Sequence, residues 1–389
     1  MNEIQSIPRS ASVVIIGGGI QGLALAYFLS ELGETDVVVL DAGYWQGGAS
    51  GRNGTLIRGA FSSEEWTRFF AHSAELWFGL SKRLGENVMY SRRGYVMVAE
   101  KPGTGELLRQ TRKLHERCGI DSRLLSAGEL RAVLPAVAHE RVNSSLLLPG
   151  SGVAPHHAAM HAFHAACQRR GVKIFYRTPV KEIERHNGHV TAVQTGQVRI
   201  KAGVVVIAAG AQSPTVAEMA GVHLEGYAMR LEAMALEPTR PLITPAVALL
   251  DRLCYMHQTA RGEVVGGAEV AERPQATLNA DIPVMAATAQ AYLDMFPQLA
   301  DARILRQWGG MVHISPDFGP MLGAHPGLGG LFVTAGWCYG HAGAPAAGEL
   351  LAKLIVKGTL DSRIESFAVD RFARQCPVVE PGIVLSHFD

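Results

Sequence analysis

The sequence has no CxxC pair, almost no excess of charge and no long apolar run. Its five cysteines are scattered along 389 residues, at Cys118, Cys167, Cys254, Cys338 and Cys376. Without closely spaced cysteines, this chain is not expected to ligate zinc or an iron–sulfur cluster, and five free thiols in a reducing compartment are predicted. The formal net charge of +1 favours neither a nucleic-acid partner nor a membrane-surface partner.

Two kinds of targeting segment are also missing. No stretch reaches the roughly 18 apolar residues of a membrane-spanning helix, so no transmembrane segment is predicted. The first residues, MNEIQSIPRSASVVIIGGG, lack the apolar segment of a secretory signal peptide. We therefore expect a cytoplasmic protein, and attachment to a membrane through another subunit stays open.

Glycine is abundant, with 43 residues, and 48% of the chain is hydrophobic. The length predicts two domains, or one nucleotide-binding domain with a second domain threaded through it. Both ends of the chain contain a strand, a glycine-rich turn and a helix. We predict an α/β fold in which residues 1–90, 150–220 and 325–389 form a Rossmann-like cofactor-binding domain, and residues 91–149 and 221–324 form an inserted antiparallel-sheet (α+β) substrate domain.

A dinucleotide-binding motif, Gly17-x-Gly19-x-x-Gly22, lies between a short apolar strand and a helix that we predict to be amphipathic. Gly17 suits a tight turn, and Gly19 lets the backbone approach a pyrophosphate. Gly22 lets the helix pack closely on the strand. Asp41 follows the next apolar run and can accept a hydrogen bond from a ribose hydroxyl, which disfavours NADP because its 2′-phosphate would be repelled.

Two later segments favour FAD over NAD as the dinucleotide. VVVIAAGAQS (204–213) is an apolar strand that ends in small residues, suited to close approach of an adenine dinucleotide. LFVTAGWCYGHAGAPAAGELL (331–351) predicts a strand, a glycine-rich turn and a second helix N-terminus. Such a terminus can stabilise negative charge on a reduced flavin ring.

The stretch GGASGRNGTLIRG (47–59) combines glycines with positive charge. The glycines admit a cofactor, and Arg52 can offset phosphate charge. Arg58 can bind a carboxylate through two parallel hydrogen bonds.

Several segments together carry a family resemblance. They are GGASGRNGTLIR (47–58), VAPHHAA (153–159), VAEMAG (216–221), ILRQWGGMVHISPDFGPMLG (304–323) and GWCYG (336–340). In this order they resemble the D-amino-acid-oxidase-like FAD-dependent oxidoreductases. The resemblance is strongest to the β subunit of heterotetrameric sarcosine oxidase and to related multisubunit opine and (hydroxy)proline dehydrogenases.

The resemblance implies FAD and a set of residues around it. The implied cofactor-binding residues are Gly17, Gly19, Ile20, Gln21, Gly22, Asp41, Ala42, Gly48, Ala49, Ser50, Arg52, Asn53, Gly54, Val180, Ala209, Gly210, Trp308, Gly336, Tyr339 and Gly340. The implied catalytic residues are Arg58 for the substrate carboxylate, Tyr255 over the flavin ring and His341 beside it. The implied reaction is hydride transfer from the carbon beside an amine to FAD, which gives an imine that water hydrolyses.

The chain departs from sarcosine-oxidising relatives after GWCYG. Those relatives carry a lysine there that helps to bind the substrate carboxylate, and this chain reads HAGAP. One cation fewer and more room favour a bulkier secondary amino acid, such as D-hydroxyproline, proline or an opine. The alternatives are a sarcosine oxidase β subunit proper, a NAD-dependent dehydrogenase and a non-catalytic FAD-binding subunit for electron relay.

Four histidines lie on the helix predicted after Pro155, at His156, His157, His161 and His164. A metal site there is disfavoured because no nearby carboxylate or cysteine completes it. By resemblance, His156 matches the histidine that carries FMN at the subunit interface of sarcosine oxidase. We therefore expect a hetero-oligomer with an α subunit, a small iron–sulfur subunit or both, and FMN as a possible second cofactor.

Overall fold

The structure is a computed structural model that describes residues 6–268 and 277–382. In chain order, strands β1 to β19 of this part span Val13–Ile16, Val37–Leu40, Leu56–Ile57, Tyr95–Ala99, Arg123–Leu124, Ser144–Leu148, Gly152–Val153, Lys173–Phe175, Val180–His186, His189–Thr195, Arg199–Lys201, Val204–Ile207, Tyr227–Leu236, Ala246–Leu249, Cys254–Gln258, Val264–Ala268, Ile304–Ile314, Met321–Ala324 and Leu331–Ala335. Helices α1 to α9 span Ile20–Glu31, Glu64–Leu84, Pro102–Arg117, Ala127–Val133, His156–Arg169, Ser213–Met219, Ile282–Met295, Gly340–Lys357 and Ser362–Glu365.

A six-stranded sheet holds the predicted dinucleotide motif. Its order is β18-β19-β12-β1-β2-β8, and every neighbouring pair except β18–β19 is parallel. The strands β1 and β2 are buried at every position, as expected of strands covered on both faces. Strands from both ends of the chain therefore lie side by side in one sheet.

The helix that follows the motif differs from the sequence-based prediction. We expected α1 to be amphipathic, but every residue from Ile20 to Ser30 is buried. The reason is that α8, formed more than 300 residues later, packs along α1, and α5 contacts it as well. A helix covered on all sides shows little segregation of apolar and polar faces.

An eight-stranded sheet, β17-β13-β16-β15-β14-β4-β6-β5, forms the second layer. Its pairs are antiparallel except β14 with β4. A three-stranded sheet, β11-β10-β9, and a two-stranded sheet, β3-β7, complete the described strands. The strand β18 belongs to the six-stranded sheet, although the predicted substrate domain extended to residue 324. The domain division itself stays a prediction.

The end of the described chain is anchored to the rest of the molecule through two carboxylates. Asp317 and Arg371 form a buried two-pronged ion pair, with Nε–Oδ2 and Nη2–Oδ1 distances of 2.8 and 2.7 Å. The buried Glu380 carboxylate accepts hydrogen bonds from the backbone N–H groups of Ser62 and Ser63, just before α2. Such bonds satisfy N–H groups that the first turn of a helix leaves unpaired.

No helix within the described ranges is both long enough and apolar enough to cross a membrane.

Candidate cofactor and substrate cavity

One cavity of about 660 Å³ opens at the carboxyl ends of β1 and β2 and extends to the eight-stranded sheet. It brings together most of the predicted site residues. Those that line it are Gly17, Gly19, Ile20, Gln21, Asp41, Ala42, Gly48, Ala49, Ser50, Arg52, Asn53, Gly54, Val180, Ala209, Gly210, Tyr255, Tyr339, Gly340 and His341. Their individual roles toward a bound cofactor stay predictions.

The glycine motif is needed for backbone packing at one end of this cavity. Gly17 has a φ of +120°, and a β-carbon there would overlap the carbonyl oxygen of Ala208, the residue after the neighbouring strand β12. A β-carbon on Gly22 would overlap the carbonyl oxygen of Gly17 itself. Gly22 does not line the cavity, so its part is to let α1 pack onto the loop, as its place in the motif predicts.

Side chains from two other segments fix this glycine loop. The Asp41 carboxylate accepts hydrogen bonds from Gly18 N–H and Gly43 N–H, each at 2.7 Å. Ile20, the first residue of α1, donates its N–H to Ser50 Oγ at 2.9 Å. The loop around residues 47–54 therefore contacts the N-terminus of α1, where a phosphate would be stabilised by free N–H groups and the helix dipole.

Gln21 connects this end of the cavity to the second glycine-rich turn. Its side-chain amide donates to the Gly340 carbonyl at 2.7 Å and accepts from Thr334 Oγ1 at 3.1 Å. Trp337 Nε1 donates in turn to Thr334 Oγ1 at 3.0 Å. The N-termini of α1 and α8 both border the cavity, so it offers two positive helix ends to one elongated anionic cofactor.

Two further predicted cofactor residues lie outside the cavity wall. Trp308 donates its indole N–H to the Arg52 carbonyl at 2.8 Å and so supports the loop from behind. Gly336 donates its N–H to His313 Nδ1 at 3.1 Å and supports a cavity residue rather than lining the cavity itself. Neither residue lines the cavity, and their predicted part in binding the cofactor stays a prediction.

The structure places the Arg58 side chain away from the cavity. Its side chain is not among the cavity-lining groups, and the residue is 1% exposed. Nε donates to the Ala60 carbonyl at 2.9 Å, and Nη1 donates to the Gly382 carbonyl at 3.0 Å. The guanidinium carbon lies 3.9 Å from the centre of the Phe61 ring. These groups surround the guanidinium in the structure, and the role of Arg58 toward a substrate carboxylate stays a prediction.

Aromatic and apolar groups form the end of the cavity that borders the eight-stranded sheet. Tyr255 packs its ring so closely on Gly54 that a β-carbon on that glycine would overlap it. Tyr95 also lines the cavity, and burial raises the pKa of both phenols. Both tyrosines are therefore neutral at physiological pH, and with Leu56 and Leu253 they make a wall that disfavours water.

Two histidines in this wall are held neutral. Burial lowers the pKa of His341 to about 4, and its Nε2 lies 2.9 Å from the Ala154 carbonyl. Burial also lowers the pKa of His313 to about 4. Because Gly336 N–H donates to His313 Nδ1, the ring proton is on Nε2, which donates to the Glu225 carbonyl at 3.0 Å. The prediction did not include His313, which has no sequence motif of its own.

Thr55 is another cavity residue that the prediction did not include. It has a φ of +62°, and its Oγ1 lies 2.9 Å from Nε2 of the buried His257. The other ring nitrogen of His257 lies 3.1 Å from Arg93 Nη2. Thr55 stands within the stretch 47–59 that combines glycines with positive charge, but nothing in the sequence indicates a partner 202 residues away.

The histidines of α5 lie near the cavity. Both ring nitrogens of His156 are buried without a hydrogen-bond partner among the described residues, and burial lowers its pKa to about 3. His157 lies alongside, with ring centres 4.0 Å apart, and contacts Gln46 of the cavity wall through Nδ1. Within the described part of the chain, no group of three or more His, Cys, Asp or Glu side chains is arranged to hold a metal ion.

Comparison with solved structures supports the predicted fold class. L-proline dehydrogenase from P. horikoshii superimposes with a TM-score of 0.91 and 27% identity, covering 96% of this chain and 100% of that one. Glycine oxidase from Geobacillus kaustophilus superimposes with a TM-score of 0.86 at 22% identity and shows the likeness of the fold. The predicted α/β fold of the D-amino-acid-oxidase-like flavoenzymes is confirmed.

Comparison of sequences agrees with the structures. Sarcosine oxidase subunit beta of Rhizobium meliloti (strain 1021) is 31% identical over 376 residues, which cover 95% of this chain and 90% of that protein. The subunit of the same name from Rhodobacter capsulatus is 30% identical over 366 residues, or 92% and 88% of the two chains. The family model described as FAD dependent oxidoreductase matches residues 12–354. The prediction of an FAD-dependent oxidoreductase is therefore confirmed, and the chain belongs to the FAD dependent oxidoreductase (DAO) family.

Proposed function

We propose that this chain is the catalytic β subunit of an FAD-dependent amino-acid dehydrogenase or oxidase that acts on the CH–NH group of a secondary amino acid. The observation that carries the proposal is the match to L-proline dehydrogenase, with 27% identity over 96% of this chain and 100% of that one. Proline and sarcosine, named in the two sets of relatives, are both secondary amines beside a carboxylate.

The cavity is suited to this chemistry. FAD, when bound, supplies the hydride acceptor, and the substrate loses a hydride from carbon and a proton from nitrogen to become an imine. The neutral side chains of Tyr95, Tyr255 and His341 provide a dry wall at one end, which favours the uncharged amine over the ammonium form. A rigid wall also orients the C–H bond toward the acceptor.

The distribution of positive charge favours a substrate larger than sarcosine. Among the described residues, Arg52 is the one Lys or Arg that lines the cavity. Lys353 lies farther along α8 and pairs with Glu349, with an Nζ–Oε2 distance of 3.2 Å, so it does not replace the lysine of the sarcosine-oxidising relatives. Ala342 lines the cavity after the glycine-rich turn and leaves room there. D-hydroxyproline, proline and opines such as octopine or nopaline fit these features.

FMN at a subunit interface is the proposed second cofactor, with His156 as its contact. The support is the pair of unpartnered ring nitrogens on His156 beside His157 and near the cavity wall. The relatives named as subunits beta favour an assembly in which α and small iron–sulfur subunits take electrons onward.

The test is anaerobic reduction of the purified yellow protein, alone and co-expressed with its partner subunits, by a panel of amino acids. The panel contains sarcosine, both enantiomers of proline and hydroxyproline, and opines. Bleaching of the flavin absorbance by a cyclic or N-substituted amino acid, faster than by sarcosine, is expected. Fastest bleaching by sarcosine would make the chain a sarcosine oxidase β subunit proper, and no bleaching by any member would favour a non-catalytic electron-relay subunit.

A further inference from the structure

Thr55 occupies a backbone conformation that β-branched residues rarely adopt. Its φ of +62° lies in the left-handed region, where the side chain crowds the backbone. Its N–H donates to Asn53 Oδ1 at 2.8 Å, and its carbonyl accepts from Ala154 N–H at 2.9 Å. The loop therefore fixes Thr55 from both sides at the cavity wall, in a conformation that glycine would adopt more easily.

His257 orients the Thr55 hydroxyl. The Arg93 guanidinium can only donate, so the 3.1 Å contact between Arg93 Nη2 and His257 Nδ1 requires an unprotonated Nδ1. Burial, followed by the charge of Arg93, lowers the pKa of His257 to about 4, so the ring is neutral and its proton is on Nε2. The 2.9 Å contact is therefore a donation from His257 Nε2–H to Thr55 Oγ1.

The hydroxyl proton of Thr55 then has no acceptor in the described protein. It cannot be donated to Nε2, which already carries a proton, and no other described side chain or carbonyl accepts it. A hydroxyl that receives a hydrogen bond becomes a better donor. Here the hydrogen bonds run from the Arg93 cation to His257 and from His257 to Thr55. The free direction of this donor is the cavity, because Thr55 lines it.

We propose that Thr55 donates its hydroxyl hydrogen bond to the carboxylate of the amino-acid substrate, and that His257 and Arg93 are positioning residues that aim it. This inference rests on the proposed function, since it takes an amino acid as the ligand. An anion in this cavity needs donors, and Arg58 is committed to the Ala60 and Gly382 carbonyls. The Thr55 hydroxyl is a neutral donor, polarised by Arg93 through His257, and it takes over part of the carboxylate binding that was predicted for Arg58.

The first experiment measures ligand binding to the FAD-loaded protein by calorimetry, with acetate and cyclopentanecarboxylate as ligands that cannot be oxidised. We expect Thr55→Val to weaken binding of cyclopentanecarboxylate about tenfold or more, as for loss of a hydrogen bond to a charged group. Thr55→Ser, which keeps the hydroxyl, should bind within about threefold of wild type. Thr191→Val, the same change on half-buried β10, is the matched control and should bind as wild type does.

The second experiment separates orientation from structure. His257→Gln keeps one acceptor for Arg93 and one donor for Thr55, whereas His257→Leu keeps neither. We expect the leucine variant to raise KM for the best amino acid about tenfold with little change in kcat, and the glutamine variant to recover most of the loss.

Three results would overturn the inference. The first is unchanged carboxylate binding by Thr55→Val. The second is an altered flavin spectrum of that variant in the absence of any carboxylate, because Thr55 would then donate to the cofactor. The third is equal KM and kcat values for the two His257 variants. The calorimetry stands apart from turnover. If no amino acid reduces the wild-type flavin, the proposed function fails, and the carboxylate titration still decides whether Thr55 is the donor.

Discussion

The two ends of the cavity are built in different ways. The end at β1 and α1 is made by the backbone, with Gly17 and Gly22 placed so that a side chain would overlap a carbonyl. The end beside the eight-stranded sheet is made by side chains, with Tyr255, His313 and His341 buried in neutral forms. The first end is suited to the phosphates of a dinucleotide, whereas the second can change with the substrate without changing the fold.

We expect the largest effect from Gly22→Ala, which tests whether the end of the cavity at β1 and α1 requires glycine. The added methyl group would overlap the Gly17 carbonyl, and neither backbone segment can move without disturbing the parallel sheet. We expect unfolding free energy to fall by about 3 kcal/mol or more and FAD to be lost on purification. Denaturant titration and flavin absorbance measure both. Gly203→Ala, where nothing lies within 4 Å of the added carbon, is the control. A Gly22→Ala protein that keeps its FAD and its stability would show that the backbone packing at this position does not require glycine.

The buried, neutral histidines at the other end of the cavity predict how the stability of the protein depends on pH. Burial sets the folded pKa of His257, His313 and His341 at about 4, below the 6.5 of an unfolded histidine. The unfolded chain therefore binds more protons between these values, so stability is greatest above pH 6.5 and falls as the pH drops toward 4. The loss is on the order of 3 kcal/mol per histidine.

Denaturant midpoints measured from pH 7.5 to 4.5 test this dependence. A His341→Gln variant should be less stable at neutral pH but should show a shallower decline, because one of the groups that must take up a proton is gone. A wild-type denaturant midpoint that does not change with pH would contradict the claim that these histidines are buried in the neutral form.

Arg58→Met tests whether this arginine belongs to the fold or to the substrate. Since its guanidinium satisfies the Ala60 and Gly382 carbonyls, we expect a loss of about 2 kcal/mol in unfolding free energy and a KM within about twofold of wild type. Denaturant midpoints and steady-state kinetics give the two numbers, with Arg58→Lys as the partial replacement. An unchanged midpoint with a large rise in KM would return Arg58 to the substrate site.

Asp41→Asn should have the smallest effect. Asparagine keeps one oxygen and replaces the other by an NH2 group, so only one of the N–H groups of Gly18 and Gly43 keeps its acceptor. We expect FAD affinity to fall about tenfold, with catalysis unchanged at saturating FAD. Titration of the FAD-free protein measures the affinity. Asp36→Asn, at an exposed site before β2, is the control. Unchanged affinity would show that Asp41 does not hold the cofactor loop.

The two ends of the cavity also differ in how well the sequence predicts them. The structure brings Gly17, Gly19, Asp41 and the 47–54 loop to one cavity, and the sequence could group them because their geometry depends on short segments of backbone. The orientation of Arg58 was not predicted, since its partner Gly382 lies 324 residues away. The all-round burial of α1 depends on α8, and the part of Thr55 depends on His257, so both require the tertiary fold. The predicted roles of Tyr255 and His341 stay predictions, although both line the cavity.

The hydrogen bond from Gln21 to Gly340 joins positions separated by 319 residues. A ribosome translates the glycine loop first, and it makes the turn that completes the far wall 319 residues later. A nascent chain that has not reached residue 340 therefore cannot enclose the whole cofactor. Products that stop before residue 340 should accumulate colourless, whatever the supply of riboflavin in the cell.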